Sequence, residues 1–145
     1  MPDSEEKLDR KKAVTLLNAA LELQLRSALQ YSITAASLVG IEAQALGAKL
    51  TGFGDEELSD ARLLIEKIVS FDGEPATTVA ELRFEPEVKD AITWLAKCEE
   101  DAVEALQEAI EPTGREGRSE ALEHLLEHLI LRKQHQVDFL RRAIS

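Results

Sequence analysis

Four stretches of this chain repeat apolar residues at helical spacing, and each has polar residues set into the middle of its apolar seam. The first runs Val14, Leu17, Leu21, Gln24, Ala28, Tyr31, Ala35. The second runs Leu46, Leu50, Phe53, Glu57, Asp60, Leu64, Ile68. The third runs Val88, Ile92, Leu95, Glu99, Ala102, Leu106, and the fourth Leu122, Leu126, Leu129, Lys133, Gln136, Leu140, Ile144. Steps of three and four keep each set on one helix face. A polar group on a buried face is costly unless it finds a partner there. Interruptions at mid-length in all four seams therefore predict an all-α four-helix bundle with one polar cluster at its centre.

The punctuation of the chain places the helices. The first is expected over Lys11–Leu38, with Gly40 as its C-terminal stop. The second is expected over Glu42–Phe71. Gly47, Gly52 and Gly54 weaken its first half by about 1 kcal/mol each relative to Ala, so a kink or break near Thr51–Gly54 is an open alternative. Asp72-Gly73-Glu74-Pro75 ends it. The third starts at Pro86 and reaches Ile110, because Pro is suited to a first helical turn. Pro112, Gly114 and Gly117 mark a loop, and the fourth helix is expected over Ser119–Ala143.

Connection lengths then set the topology. Short links make the first two helices antiparallel neighbours, and likewise the last two. The central link of about fourteen residues can extend roughly 46 Å. That exceeds the roughly 40 Å of a 27-residue helix, so the link crosses the bundle and leaves the second and third helices parallel. One long crossover in a four-helix bundle is the ferritin-like plan.

A chain of 145 residues fits a single domain, here residues 1–145 with 1–9 as a polar tail. Its net charge of −11 argues against nucleic acid and against an anionic membrane surface. No apolar run has membrane length, and no start resembles a signal peptide, so a cytoplasmic protein is expected. The single Cys98 cannot form an intrachain disulfide and reads as a packed side chain. His124, His128 and His135 share one face of the fourth helix beside the core seam, and read as surface or interface residues rather than metal ligands.

Three further stretches carry a resemblance. Leu29-Gln30-Tyr31, then Leu64-Ile65-Glu66-Lys67-Ile68 with Phe71-Asp72-Gly73-Glu74-Pro75, then Gln136-Val137-Asp138-Phe139-Leu140 stand in this order. Together they resemble the bacterioferritin branch of the ferritin-like family. That resemblance implies a di-iron centre held by Glu on the first helix, Glu-x-x-His on the second, Glu on the third and Glu-x-x-His on the fourth. Carried over, those positions are Gln24, Glu57 with Asp60, Glu99, and Lys133 with Gln136.

Only Glu57 and Glu99 keep the family's residue type. Asp60 keeps an oxygen ligand, Gln24 and Gln136 are neutral, and a charged Lys133 cannot ligate. No Glu-x-x-His occurs anywhere in the chain. Two readings follow. In one, the core is metal-free and Lys133 pairs with Glu57 or Glu99. In the other, Glu57, Asp60 and Glu99 keep a residual site for iron or another divalent cation. The resemblance implies iron binding or storage, while the substitutions call the chain's own ferroxidase activity into question. The competing reading is a non-catalytic structural or interaction subunit.

In relatives that bind haem between subunits, a Met supplies the ligand. The corresponding residue is Leu58, so haem held this way is not expected. The family's short fifth helix has no counterpart before Ser145. A full cage is therefore in question, and a homo-oligomer, dimer or larger, is the expected assembly.

Overall fold

The computed structural model describes residues 9–110 and 117–145. Four helices, α1 (Arg10–Ser37), α2 (Ile41–Ser70), α3 (Val88–Ile110) and α4 (Gly117–Ile144), form an all-α bundle. The tail over residues 1–8, and the loop expected at Pro112 and Gly114, lie outside the described residues. Asp9 caps α1, its carboxylate accepting from the Lys12 amide at 3.1 Å.

Two apolar clusters fix the helix directions. One joins the start of α1 (Leu17, Leu21), the end of α2 (Leu64, Ile68), the end of α3 (Leu106) and the start of α4 (Leu122, Leu126). The other joins Tyr31 of α1, Leu50 of α2, Ile92 and Leu95 of α3, and Leu140 of α4. Helices α1 and α2 are thus antiparallel, as are α3 and α4, while α2 and α3 run parallel. The backbones of α2 and α4 approach much less than those of α1 with α2, α3 with α4 or α1 with α3. Between the two apolar clusters lies a polar layer.

α2 is unbroken through Thr51–Gly54, which settles the open alternative. A Cβ at Gly54 would stand 3.1 Å from Cβ of Tyr31 and 3.5 Å from the Ala28 carbonyl oxygen. The glycine lets α1 and α2 approach closely, and that packing offsets its poor helix propensity. Gly40 also differs from expectation. It sits at the N-cap of α2 with φ of 99°, a left-handed conformation that reverses the chain two residues after the α1 C-cap, Leu38. α3 begins two residues after Pro86, with the Glu87 carbonyl accepting from the Ala91 amide at 2.9 Å.

The crossover over 71–87 lies along α1, held by side chains that imitate a neighbouring strand. Asn18 donates to the Glu74 carbonyl at 2.9 Å and accepts from the Ala76 amide at 2.7 Å. About three turns further along α1, Gln30 donates to the Arg83 carbonyl at 2.7 Å and accepts from the Arg83 amide at 2.9 Å. Gln30 Oε1 also accepts from the Trp94 indole at 2.9 Å, which ties the crossover to α3. Among the described residues, no helix is long and apolar enough to cross a membrane.

Candidate metal centre

All six seam interruptions are buried: Gln24, Glu57, Asp60, Glu99, Lys133 and Gln136 expose 1% of their surface or less. Each sits at the level where its helix passes between the two apolar clusters, so the bundle geometry turns all of them inward.

Lys133 occupies the middle. Its ammonium donates to Oε2 of Glu57 at 2.6 Å and to Oε1 of Glu99 at 2.9 Å. Gln24 donates to the Glu57 carbonyl at 2.9 Å and also to Oε2 of the Glu57 side chain. The Tyr31 hydroxyl donates to Oε2 of Glu99 at 3.1 Å. One cation thus bridges the carboxylates of α2 and α3, and each carboxylate takes a further donor from α1.

The two carboxyls differ in protonation. Burial pushes Glu57 well above the ordinary carboxylate range, and the neighbouring Glu99 adds to this; Lys133 opposes it without prevailing. Burial pushes Glu99 upward too, but there the Lys133 ammonium and the hydrogen bonds to Glu57 and Lys133 prevail, and its pKa is lowered. Burial disfavours the charged form of Lys133, yet attraction to Glu57 and Glu99 raises its pKa. The consistent state is a protonated Glu57 near an ionised Glu99 and a charged Lys133. One positive and one negative charge then cancel within the core, which is how a buried ion pair becomes tolerable. Oε2 of Glu57 accepts from both Lys133 and Gln24, while Oε1 has no partner among the described residues.

Asp60 and Gln136 face the rim of this layer. Asp60 lies 3.5 Å from the Arg132 guanidinium. Burial still leaves its pKa raised, with Arg132 and Lys133 opposing. Gln136 donates to Glu56 at 3.2 Å. Among the described residues, no donor reaches Oε1 of Gln24, Oδ2 of Asp60 or Oε1 of Gln136. No group of three or more His, Cys, Asp or Glu is placed to hold a metal ion among them either.

Sequence reasoning missed three contributors. Tyr31 sits on the first seam seven residues after Gln24, and its hydroxyl was the signal that this aromatic could join the polar layer. Arg132 and Glu56, each adjacent to a seam residue, supply partners to Asp60 and Gln136 from helix edges that periodicity reads as solvent-facing. The expected histidine face is exposed at His124, His128 and His135, and His128 lies 3.0 Å from Arg132. Cys98 is buried, and burial pushes its thiol up to about 12, so it is unreactive at neutral pH.

Residues 14–145 match the family described as the ferritin-like domain. No curated protein sequence matches the chain. Solved structures do. A ferritin-like, diiron-carboxylate protein from Bacillus anthracis is 23% identical with a TM-score of 0.88, over 94% of this chain and 98% of that one. A dodecameric thioferritin, the bacterioferritin-related protein from Bacteroides fragilis, is 19% identical with a TM-score of 0.83, over 94% and 86%. Rhodobacter capsulatus bacterioferritin, solved with a metal-free dinuclear site and haem iron, is 25% identical with a TM-score of 0.82, over 96% and 86%.

Proposed function

We propose, from the premise that this chain belongs to the ferritin-like family, that it is a bacterioferritin-related protein that serves iron handling as an assembly subunit rather than as a ferroxidase. The observation that carries this reading is the pair of bonds from Lys133 to Glu57 and Glu99. A di-iron centre needs anionic oxygens that can bridge the two metals and a nitrogen ligand for each. Here an ammonium stands between the two carboxylates best suited to bridge, and it would repel a divalent ion. The six residues do not fit a pair of irons.

A homo-oligomer is part of the same reading. Large apolar side chains remain exposed on the helices, Leu29 and Leu58 at 43% each and Leu131 at 59%. The Bacteroides relative is described as dodecameric. Leu58, at the position where haem-binding relatives carry Met, has no ligand atom to offer, so haem bound in that manner is not part of the proposal.

The test is metal analysis of purified protein, followed by addition of Fe(II) in air with absorbance detection of Fe(III). Less than one iron per chain and oxidation no faster than in buffer are expected. Two tightly held irons with rapid oxidation would overturn the proposal.

A second reading is favoured by Oε1 of Glu57 and Oδ2 of Asp60, buried oxygens that no described donor reaches. They suit a weak site for one hard divalent cation at Glu57, Asp60 and Glu99. Calorimetric titration with Fe(II), Mn(II), Mg(II) and Ca(II) decides it, and heat-silent titrations with all four would eliminate it.

A further inference from the structure

Lys133 and Glu57 bring an amine and a carboxyl into contact, with a second carboxyl touching the same amine. Nζ of Lys133 lies 2.6 Å from Oε2 of Glu57 and 2.9 Å from Oε1 of Glu99. All three side chains are 0% exposed, and the two apolar clusters close the layer from both ends of the bundle. In water an amine and a carboxylic acid do not condense, because both stay charged and hydrated and rarely touch. Here the contact is fixed and water is shut out. The second carboxyl offers a place for the proton that the amine must lose.

The two carboxyls are held differently. Oε2 of Glu57 accepts from Gln24 as well as from Lys133, while Oε1 has no partner among the described residues. Both oxygens of Glu99 are engaged, one by Lys133 and the other by the Tyr31 hydroxyl at 3.1 Å. Glu57 thus has one oxygen free to leave, and one where the Gln24 amide meets negative charge as it develops. Glu99 is placed to take a proton from Nζ.

We infer that this layer makes its own cross-link: Nζ of Lys133 condenses with Cδ of Glu57 to form an isopeptide bond, with Glu99 as proton acceptor. The inference rests on the metal-free reading above, and the ion pair is its reactant. The ammonium gives one proton to Glu99, and the freed amine attacks Cδ of the protonated Glu57. The bond from Nζ to Cδ forms and the bond from Cδ to Oε1 breaks. Oε1 leaves as water, with its own proton and a second one from the nitrogen. The nitrogen keeps one proton, Glu99 ends neutral, and nothing is oxidised or reduced. One positive and one negative charge vanish from the core, which ends the cost of keeping an ion pair there. The bond joins positions 76 residues apart, so it also restrains the unfolded chain.

The experiment follows the intact mass of the full chain from fresh protein through days at neutral pH. A growing fraction lighter by one water is expected. Asp72-Gly73 can also lose a water, by cyclising, so trypsin locates the loss. Cleavage after Lys133 is expected to stop, leaving Leu50–Arg62 joined to Lys133–Arg141. Glu99→Gln keeps the shape of the side chain but takes no proton, and is expected to slow the loss about a hundredfold. A variant that cross-links as fast as the parent overturns the role of Glu99. A parent chain that keeps its full mass, or loses water at Asp72-Gly73 alone, overturns the cross-link. If that chain also holds no iron, the metal-free reading stands. Full mass with two irons per chain overturns both.

Discussion

The ammonium of Lys133 on α4 stands 2.6 Å from Oε2 of Glu57 on α2, with both side chains wholly shielded from solvent. These two helices have little backbone contact. Their connection at mid-bundle is polar: Lys133 with Glu57, Arg132 with Asp60, and Gln136 with Glu56. In the family, metal joins the helices at this level. Here a side chain of the chain itself does so.

Removing that cation leaves the ionised Glu99 buried without a counter-charge. Lys133→Met is expected to destabilise the bundle by about 3–5 kcal/mol, the usual cost of breaking one side of a buried pair. Urea denaturation followed by circular dichroism measures it. Adding Glu57→Gln and Glu99→Gln to the same chain removes the orphaned charge and is expected to recover most of the loss. A Lys133→Met variant as stable as the parent would mean that the ion pair is not what neutralises the core.

The protonation of Glu57 gives a pH dependence. Its folded pKa is raised well above the ordinary Glu value, so its contribution to stability is full below that value and is lost as pH rises through the folded pKa. Glu99 has the opposite sign. Its folded pKa is lowered below 4.5, so its contribution is present above 4.5 and is lost as pH falls through the folded pKa. Glu57→Gln mimics the protonated carboxyl. It is expected to remove the loss toward alkaline pH while leaving the acid limb in place. Denaturation midpoints from about pH 3 to about pH 9, a range that spans the ordinary carboxylate values, test this, and parallel profiles for parent and variant would refute it.

Restoring the family's ligand types is expected to convert the centre into a metal site. The combined variant Gln24→Glu, Asp60→His, Lys133→Glu and Gln136→His replaces the ammonium with a carboxylate and supplies two imidazoles. It is expected to bind two irons per chain, measured by elemental analysis after anaerobic loading, and to gain thermal stability with iron present. A variant that folds yet binds none would show that the polar layer has closed beyond what side-chain identity decides.

Gln30 ties the crossover to both α1 and α3. Gln30→Ala leaves the Trp94 indole, and both backbone groups of Arg83, without that partner. The expected cost is about 1–3 kcal/mol. Hydrogen exchange should locate it: the Arg83 amide speeds up strongly while amides at Leu64 and Leu106 keep their protection. An unchanged Arg83 amide would remove Gln30 from this role.

By itself, the sequence determined the number of helices, their inward faces, the long crossover and the six polar positions at mid-bundle. Those follow from periodicity and from Gly and Pro punctuation, which are local properties of a helical chain. Tertiary structure decided the rest. The glycine-rich first half of α2 stays helical because Gly54 packs against Tyr31 of α1, a contact between residues far apart in the sequence. The sequence left Lys133 a choice between Glu57 and Glu99, and the bundle gives it both, because three helices converge on one ammonium. Which carboxyl keeps a proton was beyond any reading of residue types. It depends on how completely each is buried and on how many donors reach it, and only the packed bundle sets those two quantities.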